Sequence, residues 1–305
     1  MPPVAPQHPS TLTNVRADRV KAVHRLAWRV GRERAGRFLA EGPQAVREAV
    51  AAHAGRPGAV VLELYATDEA AQRYADVLAA AAAGGLSVVR VSDDVLAAMT
   101  GTVAPQGLLA VCATVDRPLD AVMTGLAPTL VAVLAHVRDP GNAGTVVRAA
   151  DAAGADAVVL TEASVDVHNP KCVRSTAGSI FHLPVVQGVD LAETVTALRA
   201  AGLVVLAADG DGDRDLDDLL DDVEAGTEDG TEDGEPPLLA RPTAWLFGNE
   251  AWGLQDSYRA LADAVVRVPI HGRAESLNLA TAATVCLYAS ARAQRPAGRR
   301  RDQGH

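Results

Sequence analysis

Between residues 129 and 268, short apolar runs alternate with helix-patterned stretches. No other feature of the chain limits its fold as strongly. Strand-like runs lie at 129–137 (TLVAVLAHV), 157–160, 183–186, 203–207, 244–247 and 265–268, with helical stretches between several of them. Parallel neighbours in a sheet need long crossover connections, which are usually helices. The alternation therefore predicts an α/β fold with a mostly parallel, doubly wound sheet. Ligands in such sheets bind beyond the C-terminal ends of the strands.

A second α/β unit precedes it. Strand-like runs at 59–67, 86–92 and 107–115 flank an Ala-rich helix at 68–83 that stops at Gly84-Gly85. A length of 305 residues suits two domains. Aromatic residues make up 3% against 49% hydrophobic residues, so the cores must be built from Ala, Val and Leu. The expected organisation is a disordered 1–13, a first domain at 14–116, a linker at 117–128, a second domain at 129–292 and a disordered basic tail at 293–305.

Cys112, Cys172 and Cys286 form no CxxC pair, so neither a zinc ribbon nor a disulfide framework is expected, and no metal site is assigned. No stretch reads as a signal peptide or a membrane span, which points to a cytoplasmic protein.

The net charge of −10 misleads. Residues 209–235 hold fourteen Asp/Glu and one Arg, leaving 24 acidic against 27 basic residues elsewhere. The body is mildly basic and RNA binding stays open. The acidic stretch, 209–237, is expected to be a disordered insert. Its opening D-x-D-x-D is not a calcium loop, because position 6 would be Arg214 and position 12 Leu220. The stretch 14–56 is strongly basic, and Arg16, Arg19, Arg25 and Arg34 are candidate RNA contacts.

Three segments carry the chemistry. HVRDPGNAGTVVRAADAAGAD (136–156) follows a strand, turns through Pro140–Gly144 and enters a helix bearing Arg148; it matches neither GxGxxG nor the phosphate loop. AWLFGNEAWGL (244–254) ends a strand in Phe247-Gly248 and presents Asn249 and Glu250. VPIHGRAESLNLATAATVCLY (268–288) places Glu275, Ser276 and Asn278 at the mouth of an Ala-rich helix, where unpaired N–H groups and the helix dipole suit a polar ligand. Ser276 as a plain helix cap is the competing reading.

Together, N-x-G-x-x-x-R (Asn142, Gly144, Arg148), F-G-N-E (Phe247 to Glu250) and P-x-x-G-x-x-E-S-L-N (Pro269 to Asn278) resemble the three motifs of the SpoU/TrmH-type ribose methyltransferases. The segment 168–186 looks like a further part of that family, and the N-terminal region resembles its ribosomal-protein-like substrate-binding domain. The resemblance implies a deep trefoil knot, S-adenosylmethionine as cofactor, a homodimer and 2′-O-methylation of ribose in structured RNA, with 23S ribosomal RNA favoured over tRNA. It implies Arg148, Asn142, Glu250, Ser276 and Asn278 as the catalytic set. Gly248, Val268, Ile270 and Leu277 would line the cofactor, and Arg174 would either bind RNA phosphate or brace its loop. The first-motif residues of one subunit would meet the cofactor of the other. One departure is Ala251-Trp252, where a small glycine-like residue is expected after Glu250. A non-catalytic RNA-binding or ribosome-assembly protein on the same scaffold is the alternative from another class, and a base methyltransferase is a third reading.

Overall fold

A computed structural model describes residues 11–55, 58–100, 102, 104–229 and 236–295. The chain divides into two compact units, 1–115 together with 168–182, and 116–167 together with 183–305.

The first unit is built on strands β1 (Arg37–Glu41), β2 (Val61–Ala66), β3 (Val88–Arg90) and β4 (Leu108–Ala113), in the order β1-β4-β2-β3. β4 is antiparallel to both β1 and β2, and β3 is parallel to β2. The basic N-terminal stretch folds into helices Asp18–His24 and Arg29–Ala35. Val20, Val23 and Leu26 enter a core with Leu39, Tyr65, Val95, Met99 and Leu109.

Residues 168–182 join this unit, although the sequence places them in the second domain. Phe38 explains the difference, since its ring packs on His168 (centroids 4.6 Å apart) and stacks with Phe181 (5.9 Å). His168 Nε2 accepts from the Val115 N–H, and Glu41, almost fully buried, pairs with Arg174 at 2.9 Å. Phe38, Phe181 and His168 lie far apart in sequence, and no local pattern announces their meeting.

The second unit holds β5 (Leu130–Leu134), β6 (Ala157–Thr161), β7 (Val185–Val189), β8 (Val204–Ala208), β9 (Arg214–Asp215), β10 (Thr243–Phe247) and β11 (Ala264–Arg267). They form one sheet in the order β7-β6-β5-β10-β8-β11-β9, with every pairing parallel. This is the fold class the alternation predicts. The central strands are buried on both faces, as a parallel sheet covered by helices requires.

On one face Val131, Val133, Ala244 and Leu246 pack with Val122, Met123, Leu191, Val195 and Leu198 from two helices. One of these helices, Leu119–Leu126, lies inside the stretch expected to be a linker. Its Val122 and Met123 are core residues, so 117–128 belongs to the folded unit. On the other face Trp245 donates its indole N–H to Ser290 Oγ at 2.9 Å, tying β10 to helix Leu279–Ala293. That helix packs beside helix Pro140–Ala153, and the Tyr288 hydroxyl donates to the Ala152 carbonyl.

The acidic insert is ordered in part, against expectation. Asp215 pairs with β11, and helix Leu216–Asp229 follows. Leu216, Leu219, Leu220 and Val223 recur at helical spacing, and the first two are buried. Its acids meet basic partners: Asp215 with Arg267 (3.0 Å), Asp217 with His271 (3.3 Å) and Glu224 with Arg292 (2.6 Å). Composition alone suggested disorder because it counts charges and ignores their phase along a helix. The expectations for 1–10, 230–235 and 296–305 lie outside the described residues. Leu12, expected to be disordered, forms a bridge with Val91. Among the described residues no helix is long and apolar enough to cross a membrane.

Candidate active site

All seven strands of the second unit point the same way, so their C-terminal ends share one rim. The three motifs follow β5, β10 and β11 and meet there.

Helix Pro140–Ala153 starts where chain chemistry dictates. Pro140 occupies the first turn, and the Asp139 carboxylate caps it by accepting from the Asn142 N–H at 2.8 Å. Just before it, His136 adopts a left-handed φ of 57°. Its carbonyl thereby accepts from Asn249 Nδ2 at 2.8 Å, and its ring meets the Tyr258 hydroxyl at 3.1 Å.

Glu250 organises the junction. Its carboxylate accepts from the Arg138 N–H (3.4 Å), the Asp139 N–H (3.2 Å) and Asn142 Nδ2 (3.2 Å). Asn142 Oδ1 accepts from Asn278 Nδ2 at 3.1 Å, and Asn278 Oδ1 caps the last helix by accepting from the Ala280 N–H at 2.9 Å. A single polar chain thus links the three motifs, from Glu250 through Asn142 to Asn278. The cap is Asn278 and not Ser276, which corrects the competing reading of Ser276. Ser276 is exposed and makes no hydrogen bond to the described residues, although it lines the pocket.

Beside this chain lies an open cavity of about 650 Å³. Gly248, Glu250, Val268, Ile270, Ser276 and Leu277 all line it, which covers every residue expected along the cofactor. Gly248 is required by space, since a Cβ there would sit 2.4 Å from the Gly253 carbonyl carbon and 2.6 Å from the Leu254 nitrogen. The positive φ in this hairpin belongs to Gly253 (65°) and not to Ala251. The Ala251 departure therefore carries no backbone strain.

Asp209 also lines the cavity. Sequence reading missed it by assigning it to a disordered insert. Its partly buried carboxylate accepts from the Leu254 N–H and pairs with Arg259, both at 3.4 Å. The usable signal was its position directly after an apolar strand, where such sheets place ligand contacts.

Arg148 stands apart. It lies on the exposed side of helix Pro140–Ala153, does not line the cavity, and has no hydrogen bond or ion pair among the described residues. Helix rotation carries position 148 away from Asn142, eight residues beyond the start of the helix at Pro140.

The basic candidates of the first unit divide. Arg19 pairs with Glu63 at 2.8 Å and donates to the Tyr65 hydroxyl at 2.7 Å. Burial pulls Glu63 up, but hydrogen bonds from Tyr65 and Arg19 outweigh it and hold its carboxyl below the usual range. Arg19 is therefore engaged in structure, and Arg174 braces Glu41. Arg16, Arg25 and Arg34 are exposed with no ion pair among the described residues. Burial pushes the Cys112 and Cys286 thiols up, so neither is a nucleophile.

A parallel sheet covered by helices, with a mixed polar and apolar cavity at its C-terminal rim, defines an α/β protein whose cavity lies where such sheets take ligands. Residues 129–288 match the SpoU rRNA Methylase family and residues 17–110 an MRM3-like substrate binding domain. The chain is 32% identical over 277 residues to the 23S rRNA (guanosine(2553)-2′-O)-methyltransferase RlmP of Bacillus subtilis, covering 91% of this chain and 97% of that protein. It is 39% identical over 165 residues to a 23S rRNA (uridine(2479)-2′-O)-methyltransferase of Streptomyces viridochromogenes, covering 52% and 51%. The AdoMet-bound rRNA methyltransferase of Sinorhizobium meliloti superposes with a TM-score of 0.73 at 29% identity, over 93% of this chain and 97% of that one. The chain belongs to the SpoU rRNA methylase family.

Proposed function

We propose that this protein transfers a methyl group from S-adenosylmethionine to a ribose 2′-hydroxyl of 23S ribosomal RNA. The observation that carries this reading is the hydrogen-bonded chain Glu250–Asn142–Asn278 on the wall of the cavity, because it joins all three motifs at one rim. The cavity fits the cofactor in size and in chemistry. Its volume lies in the range of small-molecule sites. Val268, Ile270 and Leu277 offer apolar contact for an adenosine, and the Glu250 and Asp209 carboxylates suit a cationic sulfonium centre. Gly248 keeps the wall open, since any side chain there would displace the hairpin.

When bound, S-adenosylmethionine supplies an electrophilic methyl group, and a neutral thioether leaves. The protein then has two tasks, to align the 2′-hydroxyl and to stabilise its developing negative charge. Arg148 is assigned the second. A guanidinium stays protonated in proteins, so it serves as an electrostatic partner of the forming alkoxide and not as a base. We assign the proton to a neighbouring phosphate oxygen of the RNA.

Arg148 does not reach the cavity of its own chain, which supports a homodimer in which it serves the partner's cavity. The neighbouring helix suits self-association, because Val285 and Tyr288 are exposed on it less than one turn apart. A deep knot is part of the same reading. It is supported by the course of residues 268–278, which leave β11 near the sheet edge and return to a helix packed against β5 and β10.

The test is incubation with tritiated cofactor and bacterial 23S rRNA, followed by nuclease digestion to nucleosides. Label on the ribose is expected. Label on a base, label only on tRNA, or no transfer to any RNA would overturn the proposal. Within it, replacing Arg16, Arg25 and Arg34 together with alanine should weaken rRNA affinity and reduce the slope of log affinity against log salt by about two to three. Filter binding between 50 and 200 mM salt reads both. Arg19→Ala should instead lower the melting temperature, because it removes one charged partner from Glu63 and a donor from Tyr65.

A further inference from the structure

Trp252 is about half exposed at the edge of the cavity, on the hairpin closed by reciprocal backbone hydrogen bonds between Asn249 and Gly253, both 2.9 Å. Its neighbours Ala251 and Gly253 line the cavity. The Arg138 guanidinium lies over its ring, 5.1 Å from the centroid. Arg138 is exposed, has no ion pair among the described residues, and is anchored through its backbone N–H to Glu250. Two adjacent central strands, β5 and β10, thus deliver a cation–aromatic pair to the mouth of the site.

Nothing in the fold requires this pair. Trp252 is not in a core cluster, and the φ-restricted position of the hairpin is Gly253, so a smaller residue at 252 would close the turn equally well. A large indole kept half in water beside a binding cavity forgoes much of the stabilisation its burial would give. It does, however, offer a π-face, and the guanidinium over the ring brings N–H donors to the same spot. That combination recognises an unpaired nucleobase together with a phosphate, which is how single-stranded RNA is held.

We propose that Trp252 and Arg138 form a platform that stacks an unpaired base of the RNA substrate and contacts an adjacent phosphate, so holding the target ribose over the cavity. The inference rests on the RNA methylation proposed above. Charge favours RNA over a second copy of the chain as the occupant, because the platform is cationic and the Arg138 guanidinium has no acidic partner among the described residues.

The variants are Trp252→Ala, Trp252→Phe and Arg138→Ala in the full-length protein. Trp252→Ala should raise KM for a 23S rRNA transcript about ten-fold, with kcat changed less than about two-fold, and Trp252→Phe should keep KM within about three-fold. Arg138→Ala should raise KM and also reduce its salt dependence. The dissociation constant for S-adenosylmethionine, read by titration calorimetry, and the elution volume in size exclusion should stay at wild-type values. An unchanged KM in Trp252→Ala overturns the platform. So does a loss of cofactor affinity, which would make Trp252 a wall of the cavity, or a shifted elution volume, which would make it a contact between copies. If the wild-type protein transfers no methyl group, the function proposed above fails. Filter binding of the same transcript then still tests the platform, through an expected ten-fold weaker binding by Trp252→Ala.

Discussion

Replacing Arg148 with alanine is expected to lower kcat on 23S rRNA by about 100- to 1,000-fold, the usual loss when one preorganised donor to a developing oxyanion is removed. The affinity for S-adenosylmethionine should change little, because Arg148 is assigned to the forming alkoxide and not to the cofactor. Stability should not change either, since the side chain is exposed and has no partner among the described residues. Few residues separate chemistry from folding so cleanly. Arg148→Lys keeps the charge and loses the planar fork. Turnover near wild type in that variant would reduce the role to charge alone, whereas a loss close to that of alanine would establish a need for the guanidinium geometry. Single-turnover methylation at saturating cofactor is the measurement, with calorimetric cofactor titration as its control. A wild-type rate in Arg148→Ala would remove this residue from the chemistry.

The contrast between Arg148 and Asn142 shows what sequence pattern can and cannot deliver. Both belong to one motif, and their helix starts at Pro140, inside the stretch the sequence reads as a turn, although Asp139 and Pro140 are residues a helix start favours. Which neighbours each side chain meets is not legible. Asn142 reaches Glu250 and Asn278, more than 100 residues away, while Arg148 faces outward on the same helix. The alternation of strands and helices announced a parallel sheet, but not that β10 would insert between β5 and β8, because strand order is a non-local choice. The misread segments share a cause. Composition and position misplace Leu119–Leu126, Leu216–Asp229 and 168–182, because each is ordered by buried apolar residues: Met123 in the sheet core, Leu219 on the inner side of the acidic helix, Phe181 on Phe38. Asp209 was lost in the same way.

Replacing Gly248 with alanine should abolish measurable cofactor binding or weaken it at least about ten-fold, because the added methyl collides with backbone atoms of Gly253 and Leu254 that cannot rotate away. The hairpin must shift, and overpacking of this kind usually costs about 1–3 kcal/mol. The fold should survive, since Gly248 lies at the rim and the buried strand ends at Phe247. Circular dichroism and size exclusion verify this before cofactor titration. The variant then becomes a tool for the dimer. If Arg148 of one subunit serves the cavity of the other, a mixed dimer of Gly248→Ala with Arg148→Ala contains one complete site: the intact cavity of the Arg148→Ala chain and the arginine of the Gly248→Ala chain. Random pairing of equal amounts makes about half of the dimers mixed, so activity should return to about a quarter of wild type from two nearly inactive parents. If Arg148 acts on its own chain's cavity, both sites of the mixed dimer are broken and nothing returns. Recovery requires exchange of subunits, which co-expression with two affinity tags secures. The outcome therefore turns on which subunit supplies the arginine, a question that cofactor affinity and fold stability leave untouched.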